Sequence, residues 1–343
     1  MKTRHFNPCG IRTYRKLAAI SFVMRTYKKG VGGWGSAFCR PVSAYCLLPA
    51  VAVVMTLPPP RAWTNAPARR YNASPGAFLR LRERHSPYPP MSSSPELSIV
   101  IPAVNEEKRL PRTLRKIHEY LMARSLQAEV LVVDDGSTDS TAKVVDGLCQ
   151  EYPEVRRITN ATNHGKGYAV RQGMLAACGE IGLFMDADLS TPIEEADKLL
   201  AALRERDCDG AIGSRALDRG LIEGHQSMLR EAGGIVFNRL VRFSTGLRFA
   251  DTQCGFKAFR LDRARILFEQ QRVDGFGFDP EILFLAKRHG LRITEIPVRW
   301  AHHPASKVKF AKDGLRMLRD LWIIRSSARR GLYPRRKSRE SGT

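Results

Sequence analysis

Hydrophobic positions along this chain fall into two regimes, irregular before about residue 95 and periodic after it. Residues 97–102 make a short apolar, β-rich run that predicts a buried strand. Residues 109–123 place Leu110, Leu114, Ile117, Tyr120 and Leu121 at helical spacing. The pattern then predicts a second buried strand over 130–133, helices over 138–149 and 168–178, and a strand over 181–185. Thr191-Pro192-Ile193-Glu194 reads as a helix start, with an N-cap, a proline in the first turn and a glutamate three residues on. Short strands follow over 211–213 and 296–300. Such alternation predicts an α/β fold, a mostly parallel sheet with helices on both faces. Ligands of such sheets bind beyond the carboxyl ends of the strands.

Composition adds little, since 43% apolar and 26% charged residues describe an ordinary globular chain and exclude collagen, coiled coil and wholesale disorder. Charge changes the picture once it is mapped. Of a net +22, most sits at the ends: residues 1–90 hold 15 Lys and Arg against Glu83 alone, and 325–343 hold seven against Glu340. The body between is nearly neutral. A nucleic-acid partner is not expected, because the basicity lies across no folded face with a recognisable motif. Residues 1–90 scatter Arg, Gly and Pro, including three prolines at 58–60, and do not read as a folded domain. The apolar run 42–57 contains Pro49 and falls short of the roughly 20 residues a spanning helix needs. Three readings of this leader stay open: a true start at Met91, a weak membrane anchor, or a signal peptide. The expected organisation is thus a basic leader over 1–90, a catalytic body over 91–325 and a basic tail over 326–343. Seven cysteines, none spaced by two residues from another, suit a reduced cytoplasmic compartment. Cys149 and Cys178 read as small buried hydrophobes within helices.

The chemistry stands at the strand ends. The first strand runs into Pro102-Ala103-Val104-Asn105-Glu106, the second into Asp134-Asp135-Gly136-Ser137, and the strand at 181 into Asp186-Ala187-Asp188. A single Asp there commonly caps the next turn. Three acidic clusters on successive strands instead suggest a shared cation, and hard oxygen ligands two residues apart suit Mg2+ or Mn2+ completed by phosphate and water. Asn163-His164-Gly165-Lys166-Gly167 opens a helix with small residues and a cation, suited to an anion or to a plain glycine turn.

The runs Val100-Ile101-Pro102-Ala103-Val104-Asn105-Glu106, Val132-Val133-Asp134-Asp135-Gly136-Ser137 and Met185-Asp186-Ala187-Asp188-Leu189-Ser190 together resemble the inverting, nucleotide-sugar-dependent glycosyltransferases of family two, which have the Rossmann-like GT-A fold. Within them the chain is most similar to the polyprenyl-phosphate branch. The resemblance spans about 97–325. It implies that Pro102, Val104, Glu106, Asp134 and Asp135 border the nucleoside, that Asp186 and Asp188 hold the metal with Ala187 between them, and that Lys166 and Lys307 of the Ser306-Lys307 pair face the diphosphate. It further implies that Arg215 and Lys257 face phosphate and that Glu281 or Asp279 is the acceptor-side acid. Asp188, Arg215, Lys257 and Glu281 are therefore the expected catalytic residues. The third metal ligand, Ser190 or Thr191, stays open.

The resemblance implies transfer of a hexose, glucose from UDP-glucose before mannose from GDP-mannose, to a dolichyl or undecaprenyl phosphate at the cytoplasmic membrane surface. A phosphate monoester with a second pKa near ~6 is mostly dianionic at neutral pH and attacks without a strong base. The expected attachment is peripheral: residues 228–247 and 308–325 mix apolar and aromatic positions with arginine and lysine, as interfacial helices do, or as helices packed on a sheet do. A hydroxyl acceptor is the rival reading. A processive polysaccharide synthase is disfavoured because Ile296 stands where its Gln-x-x-Arg-Trp motif needs glutamine. A non-catalytic sensor would have no need of intact acids at all three strand ends.

Overall fold

The computed structural model describes residues 95–205, 207–224, 228–302 and 310–334. The leader and its candidate anchor, Met91, Ser306 and Lys307 lie outside the described residues. Seven strands form the main sheet: β1 (Leu97–Ala103), β2 (Ala128–Asp135), β3 (Val155–Asn160), β4 (Ile181–Phe184), β5 (Gly210–Ser214), β7 (Lys257–Arg260) and β8 (Ile293–Pro297), while β6 (Ile222–Glu223) and β9 (Trp300–Ala301) pair separately. The order across the main sheet is β3-β2-β1-β4-β7-β5-β8. All its pairings are parallel except those of β7, which runs against both β4 and β5.

Helices α1 (Leu110–Ala123), α2 (Thr141–Glu151), α3 (Lys166–Ala176), α4 (Ala196–Glu205), α5 (Met228–Thr245), α6 (Leu261–Gln270), α7 (Phe278–Arg288) and α8 (Phe310–Arg329) complete the body. β1 and β2 are buried along nearly their whole length because each side of the sheet is covered. On one side, Leu110, Leu114, Ile117 and Tyr120 pack with Ile99, Val130 and Leu199. On the other, Val100, Val133, Met174, Phe184, Phe259, Phe268 and Phe278 form the second core. Phe184 meets Phe259 at 6.3 Å and Phe278 at 5.6 Å between ring centroids, and burying each ring contributes about 1.5–3 kcal/mol.

The expected α/β fold is the one found, with local differences. The helix expected to start at Thr191 opens as a 3₁₀ turn, Ile193–Glu195, whose cap position is Pro192 and receives no side-chain hydrogen bond. Cys178 lies beyond α3, which ends at Ala176, and it is half-buried, not a core residue. Helix α8 continues to Arg329, into the expected tail, with Leu321, Ile324 and Ser327 buried along it. Cys149, Cys178, Cys208 and Cys254 are free thiols.

Chain direction decides what reaches the rim. The chain runs from β1 to a neighbour on one side, β2, and later adds β4 on the other, so the crevice opens beyond the ends of β1 and β4. β5 points the same way. Because β7 is reversed, its first residue, Lys257, lies opposite Phe184 at the end of β4.

Candidate active site

On the β1–β2 side, backbone amides and short polar side chains stitch the two rim loops together. Asn105 holds a left-handed backbone, φ +54°, a conformation asparagine tolerates better than most residues. Its Oδ1 accepts from the amides of Thr138 (2.8 Å) and Asp139 (3.3 Å). Its own amide donates to Ser137 Oγ at 2.9 Å, and that of Glu106 donates to Thr141 Oγ1 at 2.8 Å. Asp134 Oδ1 accepts from the Ser137 amide at 3.0 Å and closes the β2 turn. Asp135 is buried, and its carboxylate latches the next loop: Oδ2 accepts from the amides of His164 (3.0 Å) and Gly165 (2.7 Å), Oδ1 from Asn160 Nδ2 (2.8 Å). Glu106 pairs with Arg109 at 3.1 Å, and Pro102 and Val104 are half-buried beside it in the chain.

The latched loop delivers Lys166 as the first residue of α3. Gly165 before it has φ +117°, and a Cβ there would fall 2.5 Å from the Asp274 carbonyl oxygen, so only glycine fits. Lys166 Nζ lies 2.5 Å from Asp186 Oδ1. Burial works against the ammonium, but Asp186, Asp279 and Asp188 outweigh it and raise its pKa. Asp188 Oδ1 accepts from the Ser190 amide at 2.9 Å, around Leu189 at φ +54°. The Ala187 carbonyl is fixed by Thr113 Oγ1 at 2.7 Å.

Asp186 and Asp188 offer a divalent cation two hard oxygen groups at the end of β4. The space beside them is kept open by Gly255, where a Cβ would come within 2.5 Å of Asp186 Oδ2. Among the described residues no cluster of three or more His, Cys, Asp or Glu side chains gathers as ligands. Carboxylates two residues apart are hard oxygen donors of the kind that Mg2+ and Mn2+ take, with phosphate and water as further ligands.

Arg215, just past β5, is gripped by Asp251 through Nε (2.6 Å) and Nη2 (3.0 Å), with its guanidinium 5.5 Å from the Trp300 ring. Burial would raise the Asp251 pKa, but Arg215 wins and brings it down to about 2. Glu295 Oε1 in turn accepts from the Asp251 amide at 2.7 Å. These groups form one field, since Asp186 acts on both Lys166 and Arg215, and Asp279 feels both Lys257 and Lys166.

Two expected catalytic groups are placed differently. Lys257 is fully buried, pairing with Asp279 and donating to the Cys254 carbonyl at 2.5 Å. Its ammonium therefore has its described partners inside the protein, at the start of β7. Burial raises the Asp279 pKa against the attraction of Lys257 and Lys166. Glu281 is also fully buried, with all its described partners inside the protein: the amides of Arg272 and Val273, each at 2.9 Å, and the Tyr333 hydroxyl at 2.6 Å. Burial pushes it up to about 7 despite those bonds. Thr191 and Ser190 are both buried, Thr191 Oγ1 lying 4.0 Å from Cys254 Sγ. Sequence reading missed the partners. Asp251 as the holder of Arg215 could have been found from its place in the Asp251-Thr252-Gln253 run; Asn105 and Tyr333 left no signal.

Helices α5 and α8 expose apolar surface. On α5, Ile235, Val236 and Phe243 are 47%, 54% and 71% exposed, among the exposed Arg239 and Arg242. On α8, Leu315 is 68% exposed, beside Arg316 and Arg319. The two helices touch, and Arg325 Nη1 donates to the Ser244 carbonyl at 3.1 Å. Among the described residues no helix is long and apolar enough to cross a membrane.

Comparison with known proteins places this geometry. The family model for glycosyl transferase family 2 matches residues 98–264. Dolichyl-phosphate beta-glucosyltransferase of Homo sapiens is 36% identical over 277 residues, 76% of this chain and 85% of that one. The protein of that name from Drosophila melanogaster is 39% identical over 251 residues (69% and 77%), and that from Saccharomyces cerevisiae 38% over 259 residues (69% and 76%). Among solved structures, Mycobacterium tuberculosis glucosyl-3-phosphoglycerate synthase, in complex with Mn2+, UDP-glucose and phosphoglyceric acid, matches with a TM-score of 0.51 at 16% identity, covering 70% of this chain and 86% of that chain. That likeness is one of fold.

Proposed function

Because this chain belongs to glycosyl transferase family 2, we propose that it transfers glucose from UDP-glucose to dolichyl phosphate, inverting the anomeric carbon. The observation that carries the reading is 36–39% identity to three proteins named dolichyl-phosphate beta-glucosyltransferase over most of both chains. The rim chemistry supports it.

In this reading the nucleoside lies along Pro102, Val104 and Glu106, over the turn closed by Asp134 and Asp135. Asp186 and Asp188 would hold Mg2+ or Mn2+, which supplies charge neutralisation for the departing nucleoside diphosphate. Lys166 adds a fixed cation at the start of α3, where the helix dipole also favours an anion. Lys307 is assigned to the diphosphate on the sequence pattern alone. Arg215 binds the acceptor phosphate. Its plane is set by Asp251, and a planar guanidinium can meet two phosphate oxygens at once. The lipid phosphate dianion needs no proton removed, so the residues have to hold two anions in line and not to supply a strong base. Attack from the face opposite the diphosphate then gives the β-linked product.

α5 and α8 would bring this site to the cytoplasmic leaflet, with Ile235, Val236, Phe243 and Leu315 entering the interface and Arg239, Arg242, Arg316 and Arg319 meeting anionic headgroups. The test is incubation of purified full-length chain with labelled UDP-glucose or GDP-mannose, Mg2+ or Mn2+, and either dolichyl phosphate or hydroxyl-bearing glycolipids. Label entering an acid-labile lipid from UDP-glucose with dolichyl phosphate is expected. Transfer from GDP-mannose alone, or to hydroxyl acceptors alone, overturns the reading.

A further inference from the structure

Tyr333 lies four residues past the end of α8 in a basic stretch without apolar periodicity, yet it is fully buried. A tyrosine buried whole needs a partner for its hydroxyl, and Glu281 Oε1 accepts it at 2.6 Å. The Tyr333 ring stands edge-on to Phe284 at 6.1 Å, under the Arg272 guanidinium at 6.0 Å, and its carbonyl accepts from Arg288 Nε at 2.9 Å. Glu281 passes the constraint on by accepting from the amides of Arg272 and Val273, each at 2.9 Å. Those amides open the loop between α6 and α7, and the loop presses on α3. Asp274 O accepts from the Tyr168 amide at 3.1 Å, and a Cβ on Gly167 would come within 2.6 Å of Val273 O. The buried Gln271 amide donates to both Gly167 O and Val273 O, at 2.8 and 2.9 Å. Every one of these contacts bears on the first turn of α3, whose first residue is Lys166.

We propose that Glu281 and Tyr333 are a positioning couple that sets the first turn of α3, and through it the Lys166 ammonium, for the donor diphosphate. Neither touches the reacting atoms. The inference rests on the reading of Lys166 as a diphosphate-binding cation. The two carboxyl oxygens of Glu281 accept one amide each, from Arg272 and Val273, which a side-chain amide with a single acceptor oxygen cannot do. Without both bonds the loop is released and the contact with Gly165 and Gly167 slackens. A purely structural brace would lower the amount of folded protein and leave the affinity of the folded fraction unchanged.

The experiment measures UDP binding by calorimetry to the full chain and to Lys166→Ala, Tyr333→Phe and Glu281→Gln, with steady-state KM for UDP-glucose and for dolichyl phosphate. Tyr333→Phe is expected to weaken UDP about fivefold, the worth of one hydrogen bond, and Glu281→Gln about tenfold. KM for UDP-glucose rises in step while KM for dolichyl phosphate stays constant. The proposal is overturned when both variants, folded by circular dichroism, bind UDP as the wild type does while Lys166→Ala binds it weakly. Should Lys166→Ala itself bind UDP normally, the diphosphate reading of that lysine falls, and the couple's proposed role with it. Should Glu281→Gln not fold, Tyr333→Phe keeps the ring and its packing and decides alone.

Discussion

Asp135 and Asp279 are both buried acids at the rim of one sheet, and they are kept there by different means. Asp135, on the parallel half, is satisfied by two amides and an asparagine, all neutral. Asp279, beside the reversed strand, is satisfied by the ammonium of Lys257. Neutral donors fix shape without adding charge, which suits a wall for a nucleoside. The β7–β5 half instead holds its acids with cations, Asp279 with Lys257 and Asp251 with Arg215. Amide bonds to a carboxylate fail gradually when altered, whereas a buried ion pair fails when either partner goes.

Lys257→Met puts the greatest strain on this contrast. It leaves Asp279 buried without its partner and is expected to cost about 3–5 kcal/mol in urea unfolding. Most of that loss should return in Lys257→Met/Asp279→Leu, and a single-variant loss below about 1 kcal/mol would show that the pair is not what holds this half. Glu281 extends the contrast to pH. Its folded pKa of about 7 lies above the ordinary 4.5, so the native state holds the proton more tightly. Its stabilising contribution is full below the ordinary value and is lost as pH rises through about 7, about 3 kcal/mol at most. Thermal melts of wild type against Glu281→Gln between pH 5 and 8 should show this extra slope in the wild type only; parallel curves count against it.

Asp188→Asn keeps an acceptor for the Ser190 amide but removes a charge, so transfer should fall at least about a hundredfold with unchanged melting. Near-full metal-dependent activity in that variant would refute the metal assignment. Asp135→Asn tests the neutral half: it replaces one accepting oxygen with a donor, and about 2 kcal/mol of stability should go, together with a raised KM for UDP-glucose. A loss as large as that of Lys257→Met would erase the distinction drawn here. The smallest effect belongs to the surface. Arg239→Gln/Arg242→Gln should weaken binding to phosphatidylserine vesicles by about 1 kcal/mol per residue in flotation, with turnover of a short-chain acceptor in detergent unchanged. Undiminished flotation would detach α5 from the membrane.

Most strands and the acids that end them could be read from the chain, because buried parallel strands are short apolar runs and the rim follows from their direction. β3 escaped notice: Val155–Asn160 carries Arg156, Arg157 and Thr159, is half-buried, and closes one edge of the sheet. The burial of Lys257 could not be read, because a lysine after glycine and phenylalanine carries no mark of strand reversal. The partners of Glu281 could not be read, because an acid in the first turn of a helix has the same appearance whether it faces solvent, a ligand or two buried amides. Tyr333 could not be found at all, since its burial is decided by α7, whose Glu281 and Arg288 lie 52 and 45 residues earlier in the chain. Local pattern reports what a residue's neighbours in sequence demand, and these residues answer to distant ones.

The reversal of β7 has a mechanical consequence. The chain leaves α5 near Gly246 and enters the sheet at Lys257, at the rim and not beneath it. One short tether thus joins an outer helix to a central strand, with Asp251 and Gly255 along its length. Whatever tugs on α5 is felt at once by the guanidinium that Asp251 grips and by the space that Gly255 keeps open. In an all-parallel sheet the same tug would first have to cross the molecule from bottom to top.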